Sequence, residues 1–170
     1  QGCSVLVLER ASEEERGGNS TFTAGNIRTV YNGVDDLKDL MPDLTEDEIK
    51  ITDFGTYTEE NFFDDLARVT QNRCDPDLVE VLVKNIAPTM KWLQQKGMKF
   101  APIWGAQAYK INGRFKFWGG LTVAAYGGGP GLVEAHHKIA AKNGITIKYN
   151  AMATALLADD EAPGKAVAPA

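Results

Sequence analysis

The first apolar run of the chain does not alternate. Val5-Leu6-Val7-Leu8 is β-branched or aliphatic at every position, the pattern of a strand covered on both faces in a parallel sheet. It ends on Glu9-Arg10, and a polar stretch follows from Arg16 to Asn26 with glycine at 17, 18 and 25. That is loop chemistry, with small residues where backbone approaches backbone. Residues 33–57 are acidic and weakly periodic, Pro42 breaks them, and Thr45-Glu46-Asp47-Glu48 predicts the capped start of a short helix.

Two longer helices are better marked. Thr58 caps one whose apolar positions are Phe62, Phe63, Leu66 and Val69. Asp75-Pro76 opens the other, with Leu78, Leu82, Ile86, Met90 and Leu93 at helical spacing and Lys96-Gly97 as its stop. Pro88 falls inside it and predicts a kink. Residues 98–126 are aromatic and irregular, with a hairpin expected at Ile111-Asn112-Gly113-Arg114, because Asn-Gly favours a type I′ turn. Gly127-Gly128-Gly129-Pro130-Gly131 then leads into a helix with Leu132, Val133, His136, Ile139 and Ala140 on its inner side, and Asn143-Gly144 ends it. Ile145 to Tyr149 reads as a second strand, and Asp159 to Ala170 as a frayed tail. These marks divide the chain into 1–57, 58–126, 127–158 and 159–170.

Composition narrows the function. The 170 residues carry 18 Lys and Arg against 23 Asp and Glu, a net charge of −5, which argues against a nucleic-acid or anionic-membrane partner. The apolar run at Val5 lacks the cationic start and cleavage site of a signal peptide and is far shorter than a membrane span. Cys3 and Cys74 read as reduced thiols, so a cytoplasmic location is expected. The paired His136 and His137, with no Cys-x-x-Cys, suggest no metal centre. Glycine is in excess, at 17 residues.

Two features point to chemistry. A buried strand ending in a carboxylate is half of the dinucleotide-binding device, the acid accepting ribose hydroxyls. Alone it is weak, since solvated strand ends are commoner, and the Gly-x-Gly-x-x-Gly half would precede Glu9 by some 20 residues. The glycines at 127–131 open a helix N-terminus, where anions bind, or simply form a flexible turn.

The ordered set is more specific. Val-Leu-Val-Leu-Glu-Arg, Gly-Gly-Asn-Ser with Thr-Ala-Gly-Asn behind it, Trp92 before Lys96-Gly97-Met98-Lys99-Phe100, Gly127-Gly128-Gly129 with Gly131-Leu132-Val133, and Asn143-Gly144-Ile145 with Tyr149-Asn150-Ala151 resemble the fumarate reductase/succinate dehydrogenase flavoprotein superfamily. The likeness is to its soluble branch, of the FAD-dependent tricarballylate dehydrogenase type. The resemblance implies an α/β fold, a partial Rossmann-like FAD-binding domain without its first βα unit and with the beginning of an α+β substrate cap. It implies that Glu9 and Arg10 meet the adenosine ribose. It also puts Gly17, Gly18, Asn19 and Ser20 along the pyrophosphate and ribityl chain, Thr23, Ala24, Gly25 and Asn26 against the isoalloxazine, and the backbone of Met152 and Ala153 at the adenine edge. Asn19 occupies the place of the histidine that binds FAD covalently in membrane-bound members, so FAD is expected to be non-covalent. Gly128, Gly129, Tyr126 and Arg114 are the substrate-side candidates, for a small carboxylate or carbonyl compound.

On the same resemblance the first strand, glycine turn and first helix would precede Gln1 and the rest of the cap would follow Ala170. The proton-transfer residue would lie there, so no catalytic residue is named. Weak or no FAD binding by the isolated chain and self-association through an unpaired strand edge are expected. A small non-redox nucleotide- or anion-binding module, and an inactive truncated product, are the other readings.

Overall fold

A computed structural model describes residues 3–155 and, as backbone, 158–159 and 162–166. Elements run in the order β1 (Leu6–Leu8), α1 (Gly18–Thr21), β2 (Asn26–Arg28), α2 (Val34–Leu40), α3 (Glu46–Lys50), α4 (Glu59–Thr70), α5 (Pro76–Lys96), β3 (Phe100–Pro102), α6 (Trp104–Gln107), β4 (Ala108–Ile111), β5 (Arg114–Phe117), β6 (Thr122–Ala125), α7 (Gly128–Lys142), β7 (Thr146–Lys148), β8 (Ala158–Asp159) and β9 (Ala162–Ala166). β1 and β7 form a parallel pair, joined through everything between them. β2, β6 and β3 form an antiparallel sheet with β6 in the centre. The fold is α/β.

The helix ends follow the sequence marks. Thr45 and Glu48 form a reciprocal capping box, as do Thr58 and Asn61. Asp75 accepts from the amides of Asp77 and Leu78, Pro76 stands in the first turn, and Gly97 closes α5 in the left-handed conformation at φ 112°. The β4–β5 hairpin turns at Asn112 and Gly113, both at positive φ (51° and 80°), as a type I′ turn requires.

One hydrophobic core serves the middle of the chain. Leu37, Met41, Val83, Met90, Met98, Leu121 and Val123 are almost wholly enclosed, with Tyr31, Phe54, Tyr57, Phe62, Phe100 and Phe117 around them. Its sheet takes β2 from segment 1–57 and β3 and β6 from segment 58–126, so the two segments share their interior. Trp104 packs on Phe54, Phe115 and Phe117, which gives the aromatic stretch a core role.

Several expectations change. The strand at Val5–Leu8 is exposed, not enclosed: Leu6 is 59% and Leu8 50% accessible, and β7 is the neighbour that β1 has among the described residues. The buried stripe of α5 is Val79, Val83, Ile86, Met90 and Leu93, while Leu78 and Leu82 face outward. A one-residue offset turns a helix by about 100°, and two apolar stripes compete on this helix. On α4, Val69 is likewise exposed. On α7, Gly129 and Val133 are buried, and His136 is exposed whereas His137 is half-buried. His137 lies flat against Tyr149, with Nδ1 2.8 Å from the Val133 carbonyl. In the segment expected to be frayed, β8 pairs with β9 in antiparallel fashion. Residues 160–161 and 167–170 of that segment lie outside the described residues.

Candidate functional site

The parallel pair brings the two ends of the chain together. Glu9 follows β1, and its amide donates to the Lys148 carbonyl at 2.9 Å. The Ala151 amide donates to the Glu9 carbonyl at 2.9 Å and the Asn150 amide to the Ala11 carbonyl at 3.0 Å. Met152 and Ala153 therefore lie beside Glu9, and both are exposed. The Glu9 carboxylate accepts from the Ala11 amide at 2.8 Å, which fixes its direction and leaves its other oxygen for a ligand. This is the carboxyl edge of parallel strands, where open α/β sheets bind ligands. Arg10 is exposed at the same edge.

The two glycine-rich segments meet. Gly17 caps α1 at φ 97°, and a Cβ there would overlap Val133 of α7. Gly25 is buried, and a Cβ would lie 2.7 Å from the carbonyl carbon of Gly128. Gly129 faces the carbonyls of Ser20, Thr21 and Thr23, and its amide donates to Thr23 at 2.9 Å. The Ala125 amide, at the end of β6, donates to the Gly25 carbonyl at 2.9 Å. Side chains at these glycines would drive the backbones apart, so their first task is to let α1 and the start of α7 touch.

Internal bonds define what this loop can still offer. The Thr23 hydroxyl donates to the Ser20 carbonyl (2.9 Å) and accepts from the Gly25 amide (3.1 Å). With the Gly129 amide also engaged, these groups hold the loop's shape. Gly18, Asn19, Ser20, Thr23, Ala24 and Asn26 carry its outer surface, for all are exposed or half-buried at most. A Cβ on Gly18 would meet nothing within 4 Å, so space opens on that side. Thr21 ties the loop back to the Arg16 carbonyl at 3.1 Å, and Arg16 reaches Glu134 of α7 at 3.0 Å. Arg16 and then Lys138 hold the Glu134 carboxyl below the usual carboxylate range.

The substrate-side candidates divide. Gly128, Gly129 and Tyr126 adjoin the loop; the Tyr126 amide donates to the Lys99 carbonyl at 2.9 Å and its ring is exposed. Arg114 stands elsewhere. Its guanidinium donates to the Thr52 carbonyl at 2.6 Å, and it lines a cavity with Asp53, Phe54 and Thr56, whereas Tyr126 lines a separate groove with Lys99 and Glu134. Lys116 bridges to Asp53 at 2.9 Å and holds that carboxyl low.

One anchoring group escaped the sequence reading. Arg28, on β2, donates to the carbonyls of Gly119 and Gly120 at 2.7 and 2.9 Å and lies over the Tyr57 ring at 4.6 Å. Gly120 needs its missing side chain, since a Cβ would lie 2.8 Å from that ring. The Gly119-Gly120 doublet was the available signal. Tyr57 donates to Asp65 at 2.8 Å, and Asp65 pairs with Arg68 at 2.8 Å. Burial first, then the Asp65 carboxylate, pushes the Tyr57 phenol well above the usual tyrosine range. Cys74 is half-buried, its Sγ 3.3 Å from the Thr70 hydroxyl, which donates to the Leu66 carbonyl at 2.7 Å.

The adenosine end of FAD suits this donor set. An oriented carboxylate at a strand end can take ribose hydroxyls, and an exposed backbone segment beside it can meet a base edge. Among the described residues no helix is long and apolar enough to cross a membrane. The model of the FAD binding domain family matches residues 1–169, and the chain belongs to that family. A comparison with curated proteins returned no match.

Proposed function

We propose that this member of the FAD binding domain family is part of an oxidoreductase acting on a small carboxylate-bearing substrate, of the tricarballylate dehydrogenase or fumarate reductase type. Membership of the family makes it an FAD-binding chain. The observation that carries the finer reading is the meeting of the two glycine-rich segments beside Tyr126, which leaves one exposed loop surface next to a concave, lysine-bearing face.

When bound, FAD supplies a two-electron centre that exchanges hydride at N5. Glu9 accepts the ribose hydroxyls, with Arg10 beside it, and the backbone of Met152 and Ala153 meets the adenine. Gly18, Asn19 and Ser20 follow the pyrophosphate and ribityl chain, and Asn19 makes no covalent bond to the ring. Ala24 and Asn26 meet the isoalloxazine, while Thr23 and Gly25 keep the loop in shape. Gly128 and Gly129 let this loop sit against α7, and Tyr126 stands on the substrate side. None of these residues is assigned the proton transfer. A cytoplasmic location goes with this reading.

The test is anaerobic. Chain loaded with FAD is reduced and mixed with fumarate, and the oxidised form is mixed with tricarballylate, each followed at the flavin absorbance band. Reoxidation by fumarate or bleaching by tricarballylate supports the reading. A bound flavin that responds to dithionite but to neither acid overturns the carboxylate substrate.

A further inference from the structure

Four lysines converge on one groove of a chain whose net charge is −5. The groove has a volume of about 450 Å³ and runs between the end of α5 and one stripe of α7. Lys96 and Lys99 line it from the end of α5, and Lys138 and Lys142 from α7, with Tyr126 and Glu134 also in the lining. Glu134 is already shared, lying 3.4 Å from Lys138 and 3.0 Å from Arg16. Lys99 pairs with Asp43 at 2.7 Å, and Lys96 lies over the Trp92 ring at 5.9 Å. Positive charge around the groove thus exceeds the carboxylates that face it.

Helix ends explain part of this, but not all. Lys96 and Lys142 lie in the last turns of α5 and α7, where cations offset the helix dipole. Lys99 follows α5 and Lys138 lies a turn inside α7, so that account does not cover them. Lys138 and Lys142 are also four residues apart on a helix, a spacing at which like charges repel. A cleft that gathers one sign of charge concentrates counter-ions, and ammonium groups on flexible stems adapt to oxyanions of varied shape.

We propose that this groove binds a small multivalent oxyanion, a di- or tricarboxylate or a phosphate ester. Tyr126, Ala125 and Ile139 also line the groove. The groove is the lysine-bearing face beside Tyr126 that the proposed function invokes, so its assignment to substrate rests on that reading, whereas ion binding measured without FAD stands or falls apart from flavin chemistry.

The test is calorimetric titration of the full chain without FAD at low ionic strength, with tricarballylate and inorganic phosphate as separate probes. Lys138→Ala with Lys142→Ala is the test pair. Both positions are exposed, so a folded protein is expected and circular dichroism checks it. Lys50→Ala with Lys84→Ala, exposed lysines on other faces, is the control pair. The expected result is one ion per chain, bound about 5–30-fold more weakly by the test pair and unchanged in the control. Tighter tricarballylate assigns the groove to a carboxylate, and tighter phosphate to a phosphoryl group. Absence of binding by either probe overturns the proposal. So does an equal loss in both pairs, which would mean unspecific attraction.

Discussion

The amide of Gly129 donates to the carbonyl of Thr23 across 2.9 Å, and that same carbonyl leaves no room for a side chain at Gly129. The first turn of α7 is thereby held to the loop at 17–26. Gly129→Ala is expected to cost about 1–3 kcal/mol, as overpacking against backbone does. Gly105→Ala is the control: like Gly129, Gly105 lies outside the left-handed region, but a Cβ there would meet nothing within 4 Å. Urea unfolding followed by tryptophan fluorescence measures both, and equal destabilisation would show that the contact with Thr23 does not carry the loss.

Glu9→Gln separates the carboxylate's charge from its shape. The amide oxygen of Gln can still accept from Ala11, so the turn after β1 should persist. FAD affinity, read from quenching of flavin fluorescence, is expected to fall about tenfold or more, the loss typical of a hydrogen bond to a charged group. An unchanged affinity would remove Glu9 from the cofactor site.

Tyr57, Asp65 and Arg68 make stability depend on pH at both ends. Arg68 first, then the Tyr57 hydroxyl, holds the Asp65 carboxyl below its usual range. A carboxyl with a depressed folded pKa stabilises above its unfolded pKa of about 4, and that contribution is lost as pH falls through the folded value. The Tyr57 phenol is raised, so its contribution is full below about pH 10 and declines as pH climbs toward the folded value. Asp65→Asn should flatten the acid side of a melting-temperature profile, and Tyr57→Phe the alkaline side. Profiles parallel to that of the unaltered protein would exclude the network.

The outer edge of β1 predicts self-association. Val5, Leu6, Val7 and Leu8 are all at least 41% exposed, and apolar strands with an open edge recruit further strands. Light scattering should show mass rising with concentration. Leu6→Lys, which places a charge on that edge, should return the protein toward monomer. A monomer at every concentration refutes the prediction.

Much of the local structure was legible from single residues. The capping box at Thr45, the Asp75-Pro76 start and Gly97 stop of α5, and the Asn112-Gly113 turn are decided by backbone hydrogen bonds and φ preferences within a few positions. The FAD family was legible too, because its marks are short segments in a given order. Burial was harder to read. Leu78 and Val79 are both apolar on one helix, and only the neighbour across α5 decides which of them faces inward. Val5–Leu8 reads as enclosed because its composition is apolar, yet enclosure depends on what packs against it.

The candidate site divides in the same way. Glu9, Gly17–Ser20 and Gly127–Gly129 stand out in the chain because strand ends and glycine turns have their own chemistry. That Glu9 adjoins Ala151, that Gly129 closes on Thr23, and that Arg114 stands apart from Tyr126 follow from the pairing of β1 with β7 and from the sheet centred on β6. The first two are contacts between residues more than 100 positions apart, and no local preference of the chain encodes them. They exist because backbone pairing of β1 with β7, and burial of the core around β6, bring distant segments together.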